Sequence, residues 1–381
     1  MTADRRRIVY VSGTRADFGL MRTALQAMAA DERLDLSVLV TGMHLSDEFG
    51  GTWREVEAAG LPIAARVPVD VTTRSRASMA TSLGEAVIGM TQALKTPRPD
   101  AVIVLGDRGE MLAAAIVCLH LGLPVFHVHG GERSGTVDEP MRHAISKMAT
   151  WHLVTTEGSR ERLVRMGERH EAITVTGAPG LDGLVASAAA EAGPLLASLG
   201  LRPGLPFALV LFHPVVQQAE EAAGQTRALA NAVRATGLQV LWLAPNSDAG
   251  SAAIADEARA LLAGGNGSAF VVHLSREQFA TAMRHCAVMA GNSSAGIIEA
   301  ASFGTPVVNV GERQNLRERN RNVNDCGNDE QAIRQALHRA LAHGRYPAEN
   351  VYGSGDAARR MVRAVATAPL DAQWLHKVNT Y

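Results

Sequence analysis

The sequence has few cysteines, and the three it contains are Cys118, Cys286 and Cys326. They lie far apart, so they match neither the close spacing of a metal site nor the even-numbered set of a disulfide framework. Unpaired cysteines are typical of proteins in a reducing compartment. The sequence therefore predicts a cytoplasmic protein with no metal or other cofactor.

Long apolar runs and an excess of charge are also absent. The most apolar segment, Met111–Val128, is interrupted by His120, Gly122 and Pro124, and the arginines at 5–7 precede too few apolar residues for a signal-peptide core. Lys and Arg number 37 against 38 Asp and Glu, which offers no general attraction to nucleic acid or to a membrane. We therefore expect neither as a partner, and an anionic ligand must be held by local groups.

Aromatic residues are scarce, at 4% of the chain, whereas apolar residues reach 47%. This composition is typical of an α/β enzyme rich in Ala, Val and Leu, and 381 residues suit two domains. Residues 71–82 lack clear periodicity and predict a loop. Residues 185–206 are dominated by Ala, Gly, Leu and Pro and predict a crossing between domains. The expected division is a first domain at 1–185, a linker at 186–206, a second domain at 207–355, and a C-terminal helical segment at 356–381 that packs back on the first domain.

The two common glycine-rich phosphate motifs are missing. A strand predicted at Ile8–Val11 leads into SGTRADFG, and a helix is predicted from about Leu20. The SGTRADFG turn is neither G-x-G-x-x-G nor a Walker A loop, so dinucleotide binding of the usual kind is disfavoured. A small-residue turn before a helix can still bind an anion. Arg15 is a candidate phosphate ligand or a surface arginine paired with Asp17, and His44 follows the next predicted strand.

The most informative stretch is residues 100–147, which predict a strand, a helix and a second strand. Ala101–Leu105 and Val125–Val128 are short apolar runs typical of buried parallel strands, and open parallel sheets bind ligands beyond the carboxyl ends of their strands. Six ionisable residues follow these ends: Asp107, Arg108, His129, Glu132, Asp138 and Glu139. Crowded carboxylates shift one another's pKa, so we expect a functional crevice, with a solvated loop as the alternative.

A second candidate site lies in the other half of the chain. The strand predicted at 287–290 opens into GNSSAG and a helix. Free backbone N–H groups with the hydroxyls of Ser293 and Ser294 would cradle a phosphate, and Glu299 could accept hydrogen bonds from ribose hydroxyls. Ordinary N-capping by a serine explains the same motif equally well.

These motifs together resemble a known family. They are, in chain order, SGTRADFG, TGMHLS, LGDR, HVHGGE, VDEPMRHAISK, FHPV, GNSSAGIIEAASFGTPVVN and GERQNLRERNRNV. Their order and spacing are similar to those of the UDP-N-acetylglucosamine 2-epimerases, above all the hydrolysing branch of the sialic-acid and legionaminic-acid pathways. The resemblance implies two Rossmann-like doubly wound domains facing a cleft, as in GT-B glycosyltransferases, and a homodimer or homotetramer.

The resemblance also implies roles for individual residues. The catalytic carboxylates would be Asp107, Glu132 and Asp138, with Glu139 as the alternative within the Asp-Glu pair. His213 would join the catalytic set by supporting the departing diphosphate. The substrate-binding residues would be Arg15, His44, Arg108, Asn246, Ser293, Ser294, Glu299 and Arg313. Gly109, residues 134–136 and Leu316 depart from the family pattern, which leaves the exact sugar open.

The expected chemistry follows from the weak acidity of the sugar's C2 hydrogen. Loss of the nucleotide from C1 builds oxocarbenium character, after which a carboxylate can remove the C2 proton and water can add to the resulting glycal. Asp107 and Asp138 are expected to move the protons, and Glu132 to guide water. The substrate would be UDP-N-acetylglucosamine or a UDP-2,4-diacetamido-trideoxyhexose, and GDP is an open alternative to UDP as the nucleotide. The alternatives are a non-hydrolysing 2-epimerase, a GT-B glycosyltransferase and a non-catalytic sugar-nucleotide sensor.

Overall fold

The computed structural model describes residues 5–73, 76–134, 138–245, 250–263 and 267–380. The chain divides into two units, one formed by the residues up to Asp182 together with those from Tyr352 onward, the other by Gly183–Val351. The expected linker at 186–206 lies inside the second unit, because its leucines Leu195, Leu196 and Leu201 are buried in that unit's core. The chain returns to the first unit at residues 351–352, a few residues before the expected 355–356.

The first unit is built on a seven-stranded parallel sheet. Its strands are β1 (Arg6–Ser12), β2 (Leu34–Thr41), β3 (Ile63–Val67), β4 (Ala101–Leu105), β5 (Val125–Val128), β6 (Trp151–Val154) and β7 (Ile173–Val175). Their order is β3-β2-β1-β4-β5-β6-β7, so the winding direction reverses between β1 and β4. Strands β1 and β4 are buried along most or all of their length, as expected of strands covered by helices on both faces.

The second unit repeats this plan with six parallel strands. They are β8 (Phe207–Leu211), β9 (Gln239–Leu243), β10 (Ser268–Val271), β11 (Val288–Gly291), β12 (Val307–Val310) and β13 (Val323–Cys326). The order β10-β9-β8-β11-β12-β13 reverses between β8 and β11. The predicted fold class of two Rossmann-like doubly wound domains is confirmed. Strands β3 and β13, which were not predicted, lie at sheet edges and carry weaker apolar patterns.

Helices connect the strands and cover the sheets. They are α1 (Arg15–Ala29), α2 (Trp53–Ala58), α3 (Arg76–Lys95), α4 (Gly109–Leu121), α5 (Asp138–Met148), α6 (Glu157–Arg165), α7 (Leu184–Ser187), α8 (Gly193–Ser198), α9 (Ala222–Arg234), α10 (Ser251–Leu262), α11 (Arg276–His285), α12 (Ser294–Ile298), α13 (Glu330–His343), α14 (Ala357–Thr367) and α15 (Ala372–Leu375). The expectation of a loop at 71–82 is wrong from residue 76, because Ala86, Met90 and Leu94 form a buried stripe at helical spacing. Within the described residues, no helix is both long enough and apolar enough to cross a bilayer.

Helix α14, in the C-terminal segment, packs against α1 on one face of the first sheet. Met361 and Val365 are fully buried there, and the guanidinium of Arg6 donates hydrogen bonds to the carbonyls of Val365 and Ala368 at 2.9 and 2.7 Å. A separate cluster, which includes residues of α3 and α4, covers the other face. The end of the chain therefore completes the core of the unit in which the chain began.

Candidate active site

Asp107 follows β4 and pairs with an arginine from α5. Arg142, whose side chain is only 3% exposed, contacts the Asp107 carboxylate through Nη2. Its Nη1 donates to the Glu132 carbonyl at 3.2 Å and to Ser134 Oγ at 3.3 Å. Charge-assisted bonds of this kind are stronger than neutral ones. Arg142 thus fixes the Asp107 carboxylate and the loop after β5 together, and no sequence argument singled it out as a site residue.

Glu132 is buried among polar partners near the carboxyl end of β5. Its Oε1 accepts a hydrogen bond from Thr155 Oγ1 at 2.9 Å and lies 3.0 Å from Nδ1 of His129. His129 itself has a left-handed backbone with φ 64°. The structure therefore brings Asp107 and Glu132 into one network through Arg142.

The Asp-Glu pair of the sequence begins helix α5. Asp138 is the first helical residue, and its side chain lies outside the described part of the structure. Glu139 accepts a hydrogen bond from the Ser134 backbone N–H at 2.9 Å and lies 3.6 Å from Nε2 of His143. Burial lowers the pKa of His143, with Glu139 acting in the opposite direction. Glu139 thus contacts the backbone of Ser134, which precedes its own helix in the chain.

The turn between β1 and α1 is bonded by a carboxylate of the chain itself. Asp17 Oδ2 accepts hydrogen bonds from the backbone N–H groups of Gly13 and Thr14 at 3.1 and 2.7 Å, and the Thr14 side chain completes a capping box. Helix α1 therefore begins at Arg15 rather than near residue 20. These N–H groups already have a carboxylate acceptor, so the expected anion-binding turn is occupied from within. Arg15 pairs with Glu55 at 3.0 Å and not with Asp17.

His44 is fully buried, although the sequence placed it at the rim of the ligand site. Its Nε2 lies 2.9 Å from Ser12 Oγ and its Nδ1 lies 2.8 Å from Thr52 Oγ1. Burial lowers its pKa, while Asp17 acts in the opposite direction. Both ring nitrogens are engaged within the fold, so His44 braces the ends of β1 and β2.

Arg108 lies at the start of α4, with Nε 3.4 Å from Oε2 of Glu110. The Glu110 carboxylate lies against the backbone of two glycines, since a Cβ at Gly42 would be 2.7 Å from its Oε1 and one at Gly13 would be 3.1 Å away. Glycine at positions 13 and 42 therefore leaves room for the Glu110 carboxylate. Glu110, which was not selected from the sequence, therefore lies where the winding of the first sheet reverses.

In the second unit, Asn292 joins the ends of β8 and β11. Its Oδ1 accepts from the His213 backbone N–H at 2.7 Å, and its Nδ2 donates to the His213 carbonyl at 2.8 Å. The preceding Gly291 has φ 133°, and a Cβ there would lie 1.9 Å from the Leu211 carbonyl oxygen. Only glycine fits this close approach of two strands.

The GNSS turn begins the short helix α12. Ser293 is the N-cap and accepts from the Ala295 backbone N–H at 3.4 Å, and Ser294 is the first helical residue. Glu299 follows the helix and is buried. Burial raises the pKa of Glu299 to about 7, and Arg276 partly offsets that rise. The turn thus combines a capped helix start with a carboxyl group whose pKa is raised by burial.

Arg313 and Gln314, which follow β12, both contact the backbone of Asn292. Arg313 Nη1 and Gln314 Nε2 donate to the Asn292 carbonyl at 3.2 and 3.1 Å. Burial, with a smaller contribution from Arg313, lowers the pKa of His213 to about 3. Five of the predicted residues, His213, Ser293, Ser294, Glu299 and Arg313, therefore lie on the segments that follow β8, β11 and β12. Asn246 lies outside the described residues, and within those that are described no group of His, Cys, Asp and Glu could hold a metal ion.

Comparisons with known proteins agree with this architecture. Residues 26–366 match the family described as UDP-N-acetylglucosamine 2-epimerase. The chain is 44% identical over 376 residues to the UDP-N,N'-diacetylbacillosamine 2-epimerase (hydrolyzing) of Legionella pneumophila, covering 99% of this chain and 100% of that one. It is 32% identical to a UDP-N-acetylglucosamine 2-epimerase of Neisseria meningitidis, with 92% of each chain covered.

A solved structure shares the fold. It is a Neisseria meningitidis UDP-GlcNAc 2-epimerase bound to UDP-GlcNAc, with a TM-score of 0.78 at 18% identity over 94% of this chain and 99% of that one. At that identity the likeness concerns the fold alone, which is GT-B-like. The family match and the near-complete alignment at 44% identity establish the family membership of the chain. The chain belongs to the UDP-N-acetylglucosamine 2-epimerase family, on its hydrolysing branch.

Proposed function

We propose that this protein is a hydrolysing 2-epimerase that converts a UDP-linked 2-acetamido sugar and water into UDP and the free manno-configured sugar. The observation that carries the proposal is the 44% identity, across the whole chain, to a relative named as a hydrolysing enzyme. The carboxylate cluster of the first unit and the polar loops of the second would supply the groups that such a reaction needs. We expect it to act in a sialic- or legionaminic-acid pathway, in the cytoplasm, as a homodimer or homotetramer.

The second unit is proposed to hold the nucleotide. Arg313 and the N-terminus of α12 at Ser293 would stabilise the diphosphate as it gains charge on leaving C1. His213 is neutral without a ligand because burial lowers its pKa, so its ring would donate a hydrogen bond or take up a proton when the diphosphate arrives. Glu299, buried and with a raised pKa, is suited to bond the ribose hydroxyls.

The first unit is proposed to move the protons. After UDP leaves C1, one carboxylate takes the C2 proton and yields a glycal. A second acid returns a proton to the opposite face of C2 while water adds at C1. Asp107 and Asp138 are the proposed pair, since two faces require two groups held in different protonation states. Arg142 would orient the Asp107 carboxylate, because its guanidinium contacts that carboxylate directly.

We propose a UDP-2,4-diacetamido-2,4,6-trideoxyhexose as the sugar nucleotide. The support is that the Legionella relative is named for UDP-N,N'-diacetylbacillosamine and aligns from end to end at 44% identity. UDP-N-acetylglucosamine is the second candidate, because the Neisseria relative named for it aligns at 32% identity. The two sugars differ at C4 and C6, and a site that bonds a hydroxyl strongly rejects a sugar that lacks it.

The test is proton NMR of the purified protein in deuterated water with each sugar nucleotide in turn, and a GDP-linked diacetamido sugar as a third substrate. We expect free UDP and a free manno sugar deuterated at C2 from the UDP-diacetamido substrate. A 2-epimer still attached to UDP would instead identify a non-hydrolysing enzyme. Sugar transfer to an acceptor would identify a glycosyltransferase, and tight binding without turnover would identify a sensor.

A further inference from the structure

His129 has a backbone conformation that is uncommon for a residue other than glycine. It follows β5 with φ 64°, and among the described residues it is the only non-glycine with positive φ. An L-residue with a side chain rarely adopts this left-handed conformation, which persists only where the surrounding structure enforces it. Its backbone N–H donates to the Leu153 carbonyl at 3.1 Å, so the conformation is tied to the sheet. Such positions concentrate at functional sites.

The contact with Glu132 determines which ring nitrogen of His129 carries the hydrogen. Nδ1 lies 3.0 Å from Glu132 Oε1, and that same oxygen accepts a hydrogen bond from Thr155 Oγ1. An ionised carboxylate can only accept, so Nδ1 must provide the hydrogen. In the neutral ring, Nε2 then carries the lone pair. This is the arrangement by which a carboxylate orients a histidine base.

Nε2 of His129 is buried and has no hydrogen-bond partner in the described structure. The neighbouring strand position provides a contrast, because His127 lies 3.1 Å from Ser146 Oγ through Nδ1 and 2.7 Å from the Gly106 carbonyl through Nε2. His127 is therefore a satisfied structural histidine. A buried acceptor without a partner costs free energy, and such a cost is retained where the atom serves a reaction.

We propose that His129 is the general base for the hydration half of the reaction, an inference that rests on the proposed function. As the glycal receives a proton at C2 from a carboxylic acid, the oxygen of water bonds to C1. The proton released from that water passes to Nε2 of His129. The imidazolium is stabilised by Glu132. It later returns its proton, through solvent, to the carboxylate that gave its own proton to C2. Atoms and charge balance, and no further reactant is needed.

This assignment changes the role expected for Glu132. The sequence analysis gave Glu132 the task of guiding water, whereas here it acts through His129 and is a positioning residue. Thr155 then supports Glu132 by donating a hydrogen bond to its carboxylate. The elimination of UDP does not use His129, so the two halves of the reaction depend on different residues and can be separated experimentally.

The test uses His129→Gly in the full-length protein, because glycine accepts φ 64° without strain and leaves a cavity the size of the imidazole ring. With the UDP-diacetamido sugar, we expect UDP release to continue, glycal to accumulate, and formation of the free sugar to fall by about 100-fold. Added imidazole should restore sugar formation in proportion to its concentration. Free-sugar formation at the wild-type rate would overturn the proposal, as would equal loss of UDP release and sugar formation without an imidazole response.

Two further variants keep the result interpretable. His129→Asn also tolerates the left-handed backbone but provides no base, so it should accumulate glycal without responding to imidazole. Thr155→Val should slow hydration less than either, because it removes only the support of Glu132. Thermal unfolding and UDP binding establish that each variant is folded. Wild-type protein in parallel tests the proposed function separately, since its failure to release UDP would count against the epimerase and not against His129 alone.

Discussion

Asn292 forms a two-point hydrogen bond with the backbone of His213, accepting from its N–H at 2.7 Å and donating to its carbonyl at 2.8 Å. The two residues are distant in sequence, and their contact joins the ends of β8 and β11, where the winding of the second sheet reverses. Open parallel sheets bind ligands at such points. A single amide side chain therefore sets the spacing of the proposed nucleotide site.

We first predict the effect of removing this amide. Asn292→Ala leaves the part-buried His213 backbone groups without these partners, which should lower the free energy of unfolding by about 1–3 kcal/mol and weaken UDP binding by about 10-fold or more. Asn292→Asp keeps the acceptor but turns an oxygen toward the His213 carbonyl. Its stability and UDP affinity should therefore be no higher than those of the alanine variant. Urea unfolding and calorimetric titration with UDP measure both effects. Unchanged UDP affinity in the alanine variant would argue against this site.

A second prediction concerns Gly291. A Cβ at this position would lie 1.9 Å from the Leu211 carbonyl oxygen, and φ 133° is strained for any side chain. Gly291→Ala should therefore lower the free energy of unfolding by about 3 kcal/mol or more, measured by urea denaturation. The matched control is Gly84→Ala in α3, where nothing lies within 4 Å of the added Cβ. That change should stabilise the protein by about 0.5–1 kcal/mol.

Glu299 gives a third prediction, on pH. Burial raises its pKa from 4.5 to about 7, so between these values the folded state keeps a proton that the unfolded chain has lost. Stability from this group is therefore full below pH 4.5 and is lost as the pH rises to 7, a change of roughly 3 kcal/mol. Glu299→Gln should flatten that part of the stability curve, measured by urea unfolding at pH 4.5, 6 and 8. An identical pH dependence in the two proteins would contradict the raised pKa.

The fourth prediction separates the two ends of β4. Asp107 follows the strand and contacts Arg142, whereas Asp100 precedes it and accepts a hydrogen bond from the Arg7 backbone N–H at 2.8 Å. Asp107→Asn should reduce kcat for UDP release by about 100-fold or more, because the amide cannot act as the acid or base. Asp100→Asn should leave kcat within about twofold. Near-wild-type turnover of the Asp107 variant would remove this carboxylate from the proposed catalytic set.

Local patterns account for much of what the sequence predicted correctly. The apolar runs of β4 and β5 lie at their predicted bounds, since a buried parallel strand is predominantly apolar. Asp107 and His213 come out at carboxyl ends of strands for the same reason. The start of α1 was misplaced, because its capping box depends on Asp17 turning back to bond Thr14, which apolar periodicity does not reveal.

The sequence alone determined the two doubly wound units and which residues follow their strands, because strand and helix periodicities are local properties of the chain. Only the tertiary structure decided how those residues are used. Arg142 reaches Asp107 across 35 positions, and His44 is buried between Ser12 and Thr52. Among the residues that the structure describes, Nε2 of His129 has no hydrogen-bond partner. Such contacts depend on how separate loops pack, and hydrogen-bond partners far apart in sequence leave no periodic signal in it.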